Sequence, residues 1–99
     1  MASFTLAPSA VFDLEEIYSY GMHQFGETQA VHYNAGFFRQ FDLLAQFPGM
    51  GLPVEDAHKP YQRFGYGSHI IIYSKTDDGV RIEFVFHARM DWLQQIASR

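Results

Sequence analysis

The side chains best suited to chemistry sit in the last third of the chain, at Arg63, Tyr66, His69, His87, Arg89 and Asp91. A histidine close to an aspartate is a common proton-transfer pair, and His87 with Asp91 has that composition. The same two residues would make half of a metal site. Neither reading completes itself: no third or fourth ligand lies nearby in sequence, and no nucleophile is evident. His87, Arg89 and Asp91 therefore read first as a hydrogen-bonded cluster tying a strand end to the segment after it, and second as a target-binding surface. Arg63 suits a partner's carboxylate, or an ion pair with Glu83 or Asp91. Tyr66 and His69 flank a turn whose Gly65 and Gly67 permit unusual backbone angles, and an exposed loop of this kind can serve recognition. Trp92 reads as packing or, if exposed, as a contact hot spot. His23 and His32 read as solvated helix side chains, and His58 is assigned nothing. No catalytic residue, metal or cofactor is called for.

The elements that must position these groups follow from periodicity. Ser3 to Ala7 alternates as a short strand. Ser9 is a fair N-cap for a helix starting near Ala10, with Asp13, Glu15 and Glu16 near the positive end of its dipole. Val11, Leu14, Ile17, Tyr18, Met22 and Phe25 then make one apolar stripe. Gly26 ends that helix and Thr28 can cap a second, whose stripe is Val31, Phe37, Phe38, Phe41, Leu44 and Ala45, with Tyr33 at its edge. Pro48 stops it, and two such helices joined by a short turn should form an antiparallel hairpin. An irregular loop to Pro60 follows. Tyr61 to Gly65, Ser68 to Lys75 and Val80 to His87 are predicted strands. Ile70-Ile71-Ile72 suits a central strand covered on both faces. Strict alternation would put Val80, Ile82, Phe84 and Phe86 on one face and Arg81, Glu83, Val85 and His87 on the other. Asp77-Asp78-Gly79 fits a tight hairpin turn. Met90 to Ala97 is predicted as a short helix with Trp92, Leu93 and Ile96 inward. The fold class is thus α+β: an N-terminal strand, a helical hairpin, a three-stranded antiparallel meander and a short C-terminal helix, in one domain over residues 1–99.

Ten Phe and six Tyr in 99 residues are many for one small core, so some should be partly exposed and available to a partner. The absence of cysteine removes disulfides and thiolate metal sites and suits a reducing cytoplasm. The first residues do not read as a signal peptide, and no apolar run approaches the ~18 residues of a membrane span. The formal charge is −4 and lysine occurs only at positions 59 and 75. That balance argues against affinity gained by neutralising many phosphates, and so against sequence-specific nucleic-acid binding.

Several stretches carry a resemblance to a known family. They are Leu6-Ala7-Pro8-Ser9-Ala10, Asp13-Leu14-Glu15-Glu16-Ile17, Phe25-Gly26 with Gln29-Ala30 and Tyr33, then Phe41, Leu44-Ala45, Pro48 and Gly51, then Arg63 through Tyr73, and finally His87, Arg89 and Asp91. In order and spacing over about 90 residues they resemble the RelE/ParE superfamily of bacterial type II toxins, most closely its ParE branch. That resemblance implies a toxin that binds and traps the DNA gyrase–DNA cleavage complex without chemistry of its own, and that serves plasmid stabilisation. It also implies a cognate antitoxin whose flexible segment covers the helical hairpin and the sheet. RelE-like members resemble ribosome-dependent messenger RNA endonucleases, whose phosphorane transition state needs a cluster of cations. Here Ile70 stands where those enzymes have a strand arginine, and Trp92 where an aromatic hydroxyl serves. Two alternatives to a gyrase poison remain open at this point: a RelE-like ribonuclease, and a non-toxic module that still binds an antitoxin.

Overall fold

The protein is described by a computed structural model covering residues 2–55 and 57–98. Met1, Asp56 in the predicted loop and Arg99 lie outside the described residues. Strand β1 (Ser3–Leu6) leads through Ala7 into helix α1 (Pro8–Phe25), and Gly26 alone separates α1 from α2 (Glu27–Gln46). A single 3₁₀ turn (Pro48–Met50), a two-residue strand β2 (Leu52–Pro53), strands β3 (Gln62–Tyr66), β4 (His69–Thr76) and β5 (Gly79–His87), and helix α3 (Trp92–Ser98) complete the chain. The sheet order is β1-β5-β4-β3-β2. β1 runs parallel to β5, and the other neighbours are antiparallel.

The expected order of elements is present, with β2 added and the first helix starting earlier. Ala7 rather than Ser9 occupies the cap position, and Pro8 opens the helix, where its missing N–H costs nothing and its fixed φ suits the first turn. Thr28 is likewise inside α2. Gly26, at φ 89°, is the junction: its N–H donates to the Met22 carbonyl and its own carbonyl accepts from Ala30.

The strict alternation expected along β5 breaks at Glu83. Ile72 pairs with Phe84 but Tyr73 pairs with Ile82, so Glu83 is an extra residue in the ladder. A bulge of this kind shifts every later side chain to the opposite face. Val80, Ile82 and Val85 consequently face the helices together with Phe37, Phe41, Leu44, Ile71 and Tyr73. Phe84 and Phe86 face the other way, with Val54, Tyr61, Ile72 and Ile96. The bulge also explains Ser9 and Asp13, one helical turn apart on the same face of α1. Ser9 Oγ donates to the Glu83 carbonyl at 2.6 Å, and Asp13 Oδ2 accepts from the buried Val85 N–H at 3.0 Å. The Glu83 side chain accepts from Ser74 Oγ at 2.7 Å and pairs with Arg81 at 3.5 Å. Asp13 is thus a buried anchor and not a solvated dipole partner.

Both faces of the Ile70–Ile72 run are covered, as its unbroken apolarity predicts. The helical stripes are only partly buried: Val11, Met22, Phe25, Val31 and Phe38 are exposed, as is Leu93 on α3.

Candidate functional site

The polar groups converge where α2 meets the far end of the β4–β5 ladder. His69 opens β4 and His87 closes β5, and antiparallel pairing sets them directly opposite, with ring centroids 5.3 Å apart. Tyr66 closes β3, and its ring stacks on Tyr33 of α2 at 5.0 Å. The Tyr33 hydroxyl lies 2.7 Å from His69 Nδ1 and 3.3 Å from the Tyr66 carbonyl, and accepts from the Ser68 N–H at 3.0 Å. Tyr66 returns its own hydroxyl to the Tyr33 carbonyl at 3.3 Å. Gly67, at φ 55°, is needed for the turn twice over: an L side chain is strained at that angle, and a Cβ there would meet the Tyr33 ring.

The direction of the Tyr33–His69 hydrogen bond follows from the His69 tautomer. A tyrosine hydroxyl has one hydrogen and two lone pairs. That hydrogen can go to His69 Nδ1 at 2.7 Å, leaving the Tyr66 carbonyl at 3.3 Å without it, or to the Tyr66 carbonyl, in which case His69 Nδ1 is the donor. His87 Nδ1 accepts the Arg89 N–H at 3.1 Å. Burial, with a smaller contribution from His87, lowers the His69 pKa to about 4. Burial raises that of Tyr33 above its ordinary value. Both groups are therefore neutral near pH 7, and the site is arranged for hydrogen bonding.

These residues floor a cleft of about 560 Å³ between the helical hairpin and the sheet end, walled by Tyr18, Tyr20, Phe25 and Gln29. A second, shallower groove of about 640 Å³ runs between α1, α2 and β1, lined by Leu6, Val11, Leu14, Tyr18, Val31 and Phe38.

Of the residues singled out in the sequence, Tyr66, His69 and His87 come together. Arg63 does not join them. It pairs across the ladder with Ile72 and so lies on the opposite face of the sheet. It forms no ion pair with Glu83 or Asp91 among the described residues, since Glu83 is taken by Arg81. Arg89 contributes its backbone N–H to His87. Asp91 faces α3, where Oδ1 accepts from the Gln94 N–H at 3.3 Å, so His87 and Asp91 make no proton-transfer pair. Trp92 packs against the second apolar cluster. Among the described residues no group of three or more metal-ligating side chains assembles. The residue that the sequence reading left at a stripe edge is Tyr33, which organises the site. The signal that could have found it is Gly67 together with Gly36 on α2, where added Cβ atoms would meet the Tyr33 and Tyr66 rings.

The chain is similar to known proteins over most of its length. The family model described as the ParE toxin of the type II toxin-antitoxin system, parDE, matches residues 4–92. Toxin ParE1 of Caulobacter vibrioides is 33% identical over 85 residues, covering 86% of this chain and 85% of that protein. Toxin ParE1 of Mycobacterium tuberculosis is 30% identical over 89 residues, covering 89% and 91%. Among solved structures, the chromosomal ParDE TA system from P. aeruginosa superposes with a TM-score of 0.74 at 15% identity, covering 90% of this chain and 98% of that one. At that identity the last match speaks for the fold.

Proposed function

Because the chain belongs to the ParE toxin family of type II toxin–antitoxin systems, we propose that it arrests growth by binding DNA gyrase, with no catalytic step of its own. A cognate antitoxin neutralises it, and both act in the cytoplasm. The observation that carries the choice of gyrase over messenger RNA is the position of Ile70 and Trp92. Both pack into one apolar cluster with Phe84, Phe86 and Ile96. A nuclease of this superfamily would need cations and a hydroxyl in those positions to stabilise a phosphorane and move its protons. Among the described residues, Arg63 and Arg81 lie on that face by strand parity, and Arg81 is paired with Glu83.

The antitoxin reading rests on exposed apolar surface. Val11, Val31 and Phe38 are exposed and line the groove between α1, α2 and β1, and Phe12 and Phe25 are exposed elsewhere on the hairpin. Contiguous exposed surface of that kind marks an interaction site, and a flexible antitoxin segment that folds on binding would cover it. No helix among the described residues is long and apolar enough to cross a membrane.

A supercoiling assay with purified toxin and gyrase tests the proposal. Loss of supercoiling, with accumulation of cleaved DNA, is the expected result. Normal supercoiling at stoichiometric excess would remove gyrase as the target, and messenger RNA cleavage on ribosomes would replace it. Co-expression of the antitoxin should restore growth.

A further inference from the structure

The two edges of the sheet are finished differently. Val54 donates to the Tyr61 carbonyl at 2.9 Å, so alternation turns Leu52 and Val54 toward β3 and Pro53 outward. Proline has no N–H to offer, and β2 is two residues long, which together close that edge to further pairing. The β1 edge has no such guard. Ser3 and Ala7 donate to the Asp78 and Ile82 carbonyls, each at 2.8 Å, so Ser3, Thr5 and Ala7 turn their backbones to β5. Phe4 and Leu6 turn theirs outward, where no strand pairs with them among the described residues. Residues 2–7 contain neither a charge nor a proline.

The outward N–H and carbonyl groups of Phe4 and Leu6 are complementary to themselves. On a two-fold axis beside Thr5, Phe4 exchanges both bonds with Leu6 of the partner subunit, and Leu6 with Phe4 of the partner subunit. Every outward group of the strand is then paired. The axis sets Thr5 against its own counterpart, a favourable cross-strand pair, on the side of the strand where Thr5 is exposed. On the other side the exposed Val11, Val31 and Phe38 line, with Leu6, the groove beside this strand. The geometry points to β1 as the interface of a homodimer of the free toxin, joining two five-stranded sheets into one. Because Pro53 blunts the opposite edge, association stops at two copies.

Sedimentation equilibrium of the full-length toxin tests this. It needs neither antitoxin nor gyrase, so its outcome is independent of the function proposed above. The mass should rise with concentration from the 11.4 kDa of one chain and level off at twice that value. Thr5→Lys and Thr5→Glu each place like charges side by side on the axis and keep the backbone bonds to β5. The thermal transition of each verifies folding. Alone, each variant should associate several-fold more weakly than the parent. Mixed, they should recover the parent's affinity, because that axis sets lysine against glutamate. A mass held at 11.4 kDa up to about 1 mM would overturn the proposal and leave the edge to another kind of chain. So would undiminished association of either folded variant, a mixture no tighter than its components, or growth past two copies.

Discussion

The two faces of the sheet are covered in different ways. One face carries α1 and α2, of 18 and 20 residues, and buries Phe37, Phe41, Leu44, Ile71, Tyr73 and Ile82 completely. The other is closed by the segment around Val54 and Tyr61 and by α3, a helix of seven residues. A helix that short has no stability of its own and holds only through what it packs on. Global stability should therefore reside on the hairpin side, while the α3 side opens first and locally.

The strongest test of that asymmetry deletes one large side chain from each face. Phe41 sits among Phe4, Phe37 and Phe38, and Phe41→Ala should cost about 3–5 kcal/mol in denaturant unfolding. Ile96→Ala should cost about 2 kcal/mol, at the lower end of the range for such a deletion, because the terminal helix can settle into the space. Equal losses would mean that the two faces unfold as one unit.

Asp13→Ala probes the clamp between α1 and the β5 bulge. Removing the carboxylate leaves the buried Val85 N–H without its acceptor, at about 1–3 kcal/mol. Hydrogen exchange at Val85 should accelerate more than exchange at the α3 amides. Unchanged protection at Val85 would show that the bulge holds without α1.

This bulge also marks where the sequence stopped being legible. Element order, the Gly26 junction, the Asp77–Asp78 turn and the double coverage of Ile70–Ile72 all follow from local pattern. The inversion after Glu83 does not, because alternation holds from Val80 to Glu83 and the all-apolar Phe84-Val85-Phe86 that follows fits either face. Only the partners Ser9 and Asp13, 74 and 72 positions away, make the extra residue affordable. The site was legible to the same degree. Tyr66, His69 and His87 meet through strand pairing that a hairpin predicts. Tyr33 arrives from α2, Arg63 leaves to the other face by strand parity, and Asp91 turns to α3, all for reasons carried by tertiary packing.

A smaller effect is expected from the His69 site, and it depends on pH. Burial, then the charge of His87, lowers its pKa to about 4 in the folded chain, against roughly 6.5 unfolded. Between those values the unfolded chain binds the extra proton, so stability rises with pH across that window and is lost as pH falls through it. Carboxylates titrate in the same range, so the readout is the difference between the parent and His69→Gln. The variant should show a shallower dependence from pH 4 to 6.5, and an identical one would mean that His69 is solvated.

The smallest expected effect belongs to Asp91, the side-chain cap of α3. Loss of an N-cap typically costs about 1 kcal/mol. Here the helix being capped is short, exposed along Leu93 and Gln94, and held mainly through Ile96 and Trp92. If α3 opens independently of the hairpin side, Asp91→Ala should speed exchange at the Gln94 and Gln95 amides while leaving the global denaturation midpoint within error. A midpoint shift matching the full cap energy would tie α3 to the cooperative core. The sheet would then be equally secured on both faces, and the asymmetry between long helices and a short terminal one would have no energetic consequence.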